Sequence, residues 1–174
     1  MKKEIEKRFL LKNLPINTVE DMPEVQHIQQ YYYLVDGIWN RIRKIESSIF
    51  GITYLHTIKT YSDGITYEEE KDFSFDEYKL LMNNIHSGMY EAKFLDKTRY
   101  IYHTRTNADF GDNDFKNIKW EIDVFNFSLI IAEIEIPDIT YNIEIPEFIQ
   151  KEIILEITDI KELSNRNLAN FLKF

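Results

Sequence analysis

The chain has 174 residues, of which 44% are hydrophobic and 14% aromatic, a composition that predicts one folded domain over residues 1–174. Its formal net charge of −9 argues against a broad nucleic-acid-binding surface. Cysteine is absent, and the sequence has neither an apolar run long enough to span a membrane nor a secretory leader pattern. We therefore expect a cytoplasmic protein without disulfides, thiolate chemistry or a membrane partner.

Alternating apolar and polar residues predict a mainly β fold of antiparallel strands joined by short turns. The first strand opens at Glu4 and continues to Leu11. Later strands are predicted over residues 25–35, 38–46, 52–61, 65–73, 93–105, 119–125, 129–136 and 153–159. The pairs Asp36-Gly37 and Asp63-Gly64 are typical of tight hairpin turns.

Helices accompany the predicted strands, and one of them is a short helical segment in the region bracketed by Pro137 and Pro146. Ser74 and Glu77 have the spacing of a capping box, which predicts a helix that ends near Gly88. A further helix is predicted from about Ser164, with an apolar face formed by Leu168, Phe171 and Leu172. About eight or nine antiparallel strands with few helices favour an α+β arrangement that is mainly a closed or nearly closed β-barrel, because closure removes exposed edges.

Charged residues recur at every second position along the predicted strands. Because successive side chains of a strand point to opposite faces, such pairs share one face. The pairs are Arg41 with Arg43, Lys97 with Arg99, Glu68 with Glu70, Glu121 with Asp123, and Glu133 with Glu135. Lys59 is alone on its strand, and the first strand combines Glu4, Glu6 and Arg8. These faces are either solvated outer surfaces, which are commonly charged, or the lining of a barrel interior.

An interior lined in this way has a specific chemical use. Carboxylates suit hard divalent cations such as Mg²⁺, Mn²⁺ and Ca²⁺, and arginine and lysine suit a polyanion. Together they suit a metal-bound polyphosphate. The sequence has no glycine-rich phosphate loop and its four histidines lack zinc-site spacing, so a bound nucleotide would be held by side chains and metal. A glycosidase carboxylate pair is not excluded by spacing alone.

Nine segments along nearly the whole chain share the order of a known set of motifs. They are Glu4 to Arg8, Ile28 to Tyr32, Arg41-Ile42-Arg43, Thr57-Ile58-Lys59, Glu68-Glu69-Glu70, Lys97-Thr98-Arg99, Trp120 to Phe125, Ala132-Glu133-Ile134-Glu135, and Glu156 to Ala169. In this order they resemble the motifs of the CYTH superfamily, the triphosphate tunnel metalloenzymes, which open with E-x-E-x-K. The chain departs from the pattern at Arg8, which keeps the charge of the lysine but changes its geometry. It departs again at Thr66, where the family often has arginine.

The resemblance implies an eight-stranded antiparallel barrel whose tunnel binds a triphosphate with Mg²⁺ or Mn²⁺. It implies metal ligands at Glu4, Glu6, Glu121, Asp123, Glu133 and Glu135, with Glu68 and Glu70 as further tunnel carboxylates. It implies phosphate contacts from Arg8, Arg41, Arg43, Lys59, Lys97 and Arg99. The catalytic residues that it implies are Glu6 and Lys161.

The leading interpretation is a divalent-metal-dependent triphosphatase that converts inorganic triphosphate to pyrophosphate and phosphate. A class IV-type adenylate cyclase and a thiamine triphosphatase are alternatives from the same superfamily. A non-catalytic polyphosphate- or nucleotide-binding protein, and a β-rich domain with charged outer faces, are alternatives from other classes. The expected partner is a triphosphate-containing small molecule and not a nucleic acid, and the oligomeric state is open, with a homodimer as one arrangement.

Overall fold

The computed structural model describes residues 2–3, 5–16, 23–62, 65–104, 118–138 and 140–171. The fold is mainly β with few helices, which confirms the predicted class. The strands are β1 (Lys2–Lys3), β2 (Glu6–Leu11), β3 (Glu24–Val35), β4 (Ile38–Ser47), β5 (Gly51–Ser62), β6 (Ile65–Asp72), β7 (Ala92–Thr104), β8 (Ile118–Phe125), β9 (Ile130–Glu135), β10 (Ile153–Glu156) and β11 (Asn170–Phe171). The helices are α1 (Phe75–His86), α2 (Glu147–Gln150), α3 (Asn165–Leu168) and a 3₁₀ turn, Lys161–Leu163.

The chain divides into two compact units. The first comprises Met1–Glu4, Gln26–Lys97 and Ile160–Phe174, and the second comprises Ile5–Val25 and Thr98–Asp159. Neither closure of the strands into an eight-stranded barrel nor the single domain over residues 1–174 is established by this division, and both stay predictions.

Antiparallel strands form the sheet of the first unit. Its order is β1, β6, β5, β4, β3 and the first half of β7, and β11 pairs with β7. Asp36 and Gly37 join β3 to β4 with φ values of 49° and 78°, the positive values that a tight hairpin turn needs. That hairpin is confirmed. The predicted turn at Asp63-Gly64 lies outside the described residues, although the flanking strands pair antiparallel, as expected of a hairpin.

Helix α1 begins where the sequence predicts and covers one face of the first unit's sheet. The Ser74 side chain accepts a hydrogen bond from the Glu77 backbone amide, and the Glu77 carboxylate accepts one from the Ser74 backbone amide, so the capping box is confirmed. Buried Met82 and Ile85 on the helix pack with Tyr33 and Ile42 on the strands, together with Ala92. The face of β4 opposite Ile42 carries Arg41 and Arg43, as the alternation predicts.

His56 on β5 contacts two aromatic residues of the first unit. The hydroxyl of Tyr33 lies 2.7 Å from Nε2 of His56, and the His56 ring stacks on Phe73. Burial lowers the pKa of His56 below 6.5, and the nearby charge of Lys71 lowers it further, against an opposing effect of Glu69. Burial also raises the pKa of Tyr33 to about 12, so its hydroxyl stays protonated and can donate to the neutral imidazole.

Because the pKa of His56 is lowered in the folded protein, we predict that His56 makes the stability of the folded state depend on pH. Below pH 6.5 the unfolded chain protonates His56 more readily than the folded chain does, so the contribution of His56 is present above pH 6.5 and is lost as the pH falls. We therefore expect the melting temperature to decrease between pH 7.5 and pH 5.5, and we expect His56→Gln to decrease less over that range. Thermal unfolding of both proteins across the range measures the effect, and parallel pH profiles would contradict the prediction.

The end of the chain differs from the sequence prediction. Ser164 does cap a helix, because its side chain accepts a hydrogen bond from the Asn167 backbone amide. However, α3 ends at Leu168, and Phe171 lies in β11, which pairs with β7. The prediction that the terminal helix includes Phe171 is therefore wrong, and Leu172 lies outside the described residues. A helix this short is marginal on its own, and strand pairing replaces its continuation.

The second unit contains the remaining strands. Its order is the second half of β7, then β8, β9, β2 and β10, with antiparallel pairing of β8 with β9, β9 with β2, and β2 with β10. Its hydrophobic core centres on Trp120, which is fully buried and packs with Phe9, Ile122 and Ile134. Because these residues occupy one face of β8 and β9, the charged residues between them occupy the other. Within the described ranges, no helix combines the length and the apolar character that a membrane crossing requires.

Candidate functional site

Charged side chains from four strands of the second unit meet in a group that we call the Arg99 cluster. Its members are Glu6, Arg8, Arg99, Glu121, Asp123 and Glu133. Strand register brings several of them together, because Glu133 lies directly opposite Arg8 on β2 and Glu121 on β8. The period-2 spacing places the charged residues of each strand on one face, and the register brings together residues that are more than 100 positions apart in the chain.

Arg99 is the centre of this cluster. Its Nε donates to Oδ1 of Asp123 at 2.7 Å and its Nη2 donates to Oδ2 at 2.8 Å, a bidentate pair. Nη2 also lies 3.1 Å from Oε2 of Glu133, and Nη1 donates to Glu121. Asp123 is 0% exposed and Arg99 is 8% exposed, so the pair is almost fully withdrawn from water.

The carboxylate of Glu133 lies between two guanidinium groups. Arg8 Nε donates to Oε1 at 2.9 Å, while Arg99 Nη2 donates to Oε2 at 3.1 Å. Arg8 Nε also lies 3.7 Å from Oε1 of Glu6. Arg8 and Arg99 are thus already arranged around one anionic group, which here belongs to the protein itself.

Burial and charge act in opposite directions on the ionisation of this cluster. Burial alone raises the pKa of Glu121, but the positive charges of Arg99 and Lys119 outweigh it, and the pKa is lowered overall. For Arg99, burial alone lowers the pKa, but Asp123, Glu121 and Glu133 raise it well above its ordinary value. Arg99 and Glu121 are therefore both charged at neutral pH, and the charge of Glu121 is favoured by Arg99 and Lys119.

A second charged group lies in the first unit, which we call the Arg41 cluster. It contains Arg41, Arg43, Thr57, Lys59, Glu68 and Glu70. Register places Thr57 on β5 directly opposite Arg41 on β4 and Glu70 on β6, and it places Lys59 opposite Glu68. Adjacent strands therefore supply one continuous polar face.

The arginines of this cluster each pair with a glutamate of β6. Arg41 Nη2 lies 2.6 Å from Oε1 of Glu68, and Arg43 Nη2 donates to Glu70. Lys59 Nζ is 3.8 Å from the same Glu68 oxygen, and the Lys59 side chain is exposed. Among the contacts that the structure describes, three positive side chains share two carboxylates, so positive charge is in excess within these contacts.

The remaining predicted site residues lie in different settings. Lys97 is buried in β7 of the first unit. Glu135, two residues from buried Glu133, is exposed, and Lys161 is exposed in the 3₁₀ turn of the first unit. Glu4 and the side chain of Thr66 lie outside what the structure describes, so the structure does not test the role proposed for either.

The burial of charged residues bears on whether the charged strand faces are solvated outer surfaces or an interior lining. Arg8, Lys97, Arg99, Asp123 and Glu133 each expose less than a tenth of their surface. A solvated outer face cannot account for these five residues. Transferring charges out of water is costly unless they are paired, which explains why Arg8 and Arg99 are surrounded by carboxylates.

Thr57 received no role from the sequence, although it lies in the quoted segment Thr57-Ile58-Lys59. It is 1% exposed, and its hydroxyl contacts both Arg41 and Glu70. Its position two residues before Lys59 places it on the same strand face, which is the one signal that the sequence offered.

The donor chemistry of the Arg99 cluster fits a hard divalent cation. Its acidic groups are all carboxylates, and they outnumber the positive side chains even when Lys119, which pairs with Glu121, is included. Glu121, Asp123 and Glu133 each pair with Arg99, and within the described ranges no three acidic, histidine or cysteine side chains are grouped ready to hold a metal. A metal would therefore replace a guanidinium group as the partner of these carboxylates.

A search of protein-family models and a search of curated proteins found no match to this chain. The resemblance to the CYTH superfamily therefore stays a prediction from the motifs.

Proposed function

We propose that this chain is a triphosphate tunnel metalloenzyme of the CYTH superfamily that hydrolyses a triphosphate with Mg²⁺ or Mn²⁺, with inorganic triphosphate as the preferred substrate. The observation that carries the proposal is the buried Arg99 cluster. A protein gains little stability from burying Asp123 and Glu133 with Arg8 and Arg99 when apolar residues could fill the same space. A binding function gives these residues a use that stability does not.

The charge balance of the two clusters supports a metal–phosphate ligand. Carboxylates are in excess in the Arg99 cluster, which favours a cation. Positive groups are in excess in the Arg41 cluster, which favours an anion. Each cluster is described within its own unit, and each has the chemistry that one part of a metal triphosphate requires.

Exchange of partners explains how the Arg99 cluster accepts such a ligand. In the described state, Arg8 and Arg99 donate to Glu133. With a metal triphosphate bound, Glu133 would hold the cation, and the guanidinium groups of Arg8 and Arg99 would bind phosphate oxygens. Every charged group keeps an opposite charge, so no buried charge is left without a partner.

The residues proposed to hold the metal are Glu4, Glu6, Glu121, Asp123, Glu133 and Glu135. When bound, Mg²⁺ or Mn²⁺ neutralises phosphate oxygens and makes a coordinated water more acidic. Arg8, Arg41, Arg43, Lys59, Lys97 and Arg99 are proposed to bind phosphate oxygens, and Glu68 and Glu70 to hold Arg41 and Arg43 in place until then. Glu6 and Lys161 are the proposed catalytic residues, and the closed eight-stranded barrel is part of the same proposal.

Release of phosphate from inorganic triphosphate, with Mg²⁺ or Mn²⁺, tests this function. ATP and thiamine triphosphate are assayed in parallel, a chelator provides the metal-free control, and Glu6→Gln tests the proposed site. We expect metal-dependent release that is fastest with inorganic triphosphate and is lost in Glu6→Gln. Formation of cyclic AMP from ATP without release from triphosphate would indicate the cyclase instead, and stabilisation by triphosphate without turnover would indicate a binding protein.

A further inference from the structure

Thr57 occupies the middle of a three-strand arrangement in the first unit. Arg41, Thr57 and Glu70 lie directly opposite one another on β4, β5 and β6. The three side chains therefore form one row across the sheet, and the central member is the uncharged one.

The hydroxyl of Thr57 makes hydrogen bonds to both of its neighbours. It accepts a hydrogen bond from Arg41 Nη2 at 3.2 Å and donates one to Oε2 of Glu70 at 3.2 Å. Since the residue is 1% exposed, water cannot readily replace either bond. A hydroxyl can make both bonds at once because it is both a donor and an acceptor, whereas the isosteric methyl group of valine can make neither.

Thr57 also keeps two opposite charges from pairing closely. Arg41 Nη2 lies 3.9 Å from Oε2 of Glu70, which is beyond hydrogen-bond distance, while it lies 2.6 Å from Oε1 of Glu68. Without the hydroxyl between them, Arg41 and Glu70 can close this gap. A guanidinium group held by two carboxylates would be less available to a phosphate.

We propose that Thr57 is a positioning residue, which holds Arg41 closer to Glu68 than to Glu70 and so orients it to bind a phosphate oxygen. The proposal rests on the proposed triphosphatase function and adds a residue to it. Thr57 does not itself contact the substrate. Its effect should therefore appear in the affinity for triphosphate and not in the chemical step.

The test compares Thr57→Val, Thr57→Ser and the matched control Thr53→Val. Thr53 lies on the same strand and the same side of it, but it is exposed. We expect Thr57→Val to raise KM for inorganic triphosphate about tenfold with kcat changed less than about twofold, consistent with loss of a hydrogen bond to a charged group. We expect Thr57→Ser, which keeps the hydroxyl, to restore KM, and Thr53→Val to leave it unchanged.

The outcomes separate this inference from the function on which it rests. A merely structural role would lower the melting temperature and the amount of active protein, and so the apparent kcat, without raising KM. An active wild-type protein with an unchanged KM in Thr57→Val, or a Thr57→Ser variant as impaired as Thr57→Val, would overturn the inference alone. If the wild-type protein binds triphosphate without turnover, the dissociation constant from calorimetry replaces KM, with the same expected ratios. A wild-type protein that neither binds nor hydrolyses triphosphate would overturn both proposals.

Discussion

Glu133→Gln is expected to lower metal-dependent phosphate release on the order of 100-fold, or ~2.7 kcal/mol of transition-state stabilisation. Glutamine keeps the shape and a carbonyl acceptor for one of the two arginines, but its NH2 group replaces the oxygen that faces the other, and it removes the charge that would hold the metal. The fold should persist, because Arg99 keeps its pairs with Asp123 and Glu121. Initial rates across a range of Mg²⁺ concentrations measure the loss.

Without metal, Glu133→Gln should bind inorganic triphosphate more tightly than the wild type does. The Glu133 carboxylate competes with a phosphate for the two arginines, so its neutralisation should tighten the binding of inorganic triphosphate in the presence of a chelator. Calorimetry measures this, and Glu147→Gln on the exposed face of α2 removes the same charge at a distance as the matched control. Wild-type rates in Glu133→Gln, or metal-free binding weaker than that of the wild type, would contradict the exchange of partners.

Arg99→Met is expected to destabilise the folded protein by about 3–5 kcal/mol at neutral pH. Asp123 is 0% exposed and both of its carboxylate oxygens accept hydrogen bonds from Arg99, so the substitution leaves a buried charge without its bidentate partner. For a chain of this length, the melting temperature should fall by roughly 10 °C. Thermal unfolding measures the change, and Arg166→Met on exposed α3 is the matched control.

The pH dependence of Arg99→Met identifies the cause of its instability. In the wild type, the pKa of Glu121 is lowered below 4.5 in spite of its burial, so its contribution is present above that pH and is lost as the pH falls through the lowered pKa. Without Arg99, the largest effect that opposes burial is lost, so the pKa of Glu121 rises and Glu121 takes up a proton as the protein folds in mild acid. The difference in stability between variant and wild type should therefore shrink from pH 7 to pH 5.

A second substitution should partly reverse the effect. Arg99→Met combined with Asp123→Asn removes the buried charge along with its partner, so the double variant should be more stable than Arg99→Met alone. Two results would show that Arg99 does not neutralise Asp123: a melting temperature of Arg99→Met equal to that of the wild type, or a melting temperature of the double variant below that of Arg99→Met.

Strand alternation predicted which side chains share a face. Arg41 and Arg43 lie on one face of β4, and Ile42 lies on the other face. In the same way, Glu121 and Asp123 share the face of β8 that faces away from Trp120 and Ile122, as the period of two requires. This local geometry depends on the backbone of one strand, which is why a single sequence is enough to predict it.

Burial and partners were harder to predict, because they depend on neighbouring strands. Glu133 and Glu135 are two residues apart and look equivalent in the sequence, yet Glu133 is buried between two arginines and Glu135 is exposed. The pairing of Arg99 with three carboxylates likewise requires the register of β8 and β9, which spacing along one strand does not determine. The structural role of Thr57 was missed for the same reason.

In the terminal segment, strand pairing replaced part of the helix that the local sequence pattern predicted. Ser164 caps a helix as predicted, but four residues later the chain turns to pair with β7. The apolar spacing that predicted a longer helix also suits a strand over so short a length, and tertiary pairing decides between them.

The most direct test of the proposed site is a crystal structure with Mn²⁺ and a non-hydrolysable imido analogue of triphosphate, with manganese located by its anomalous scattering. We predict a manganese ion coordinated by a Glu133 oxygen, with Arg8 and Arg99 turned from Glu133 to phosphate oxygens. A crystal in which Glu133 still bridges the two arginines, and manganese is absent from the Arg99 cluster, would contradict the account.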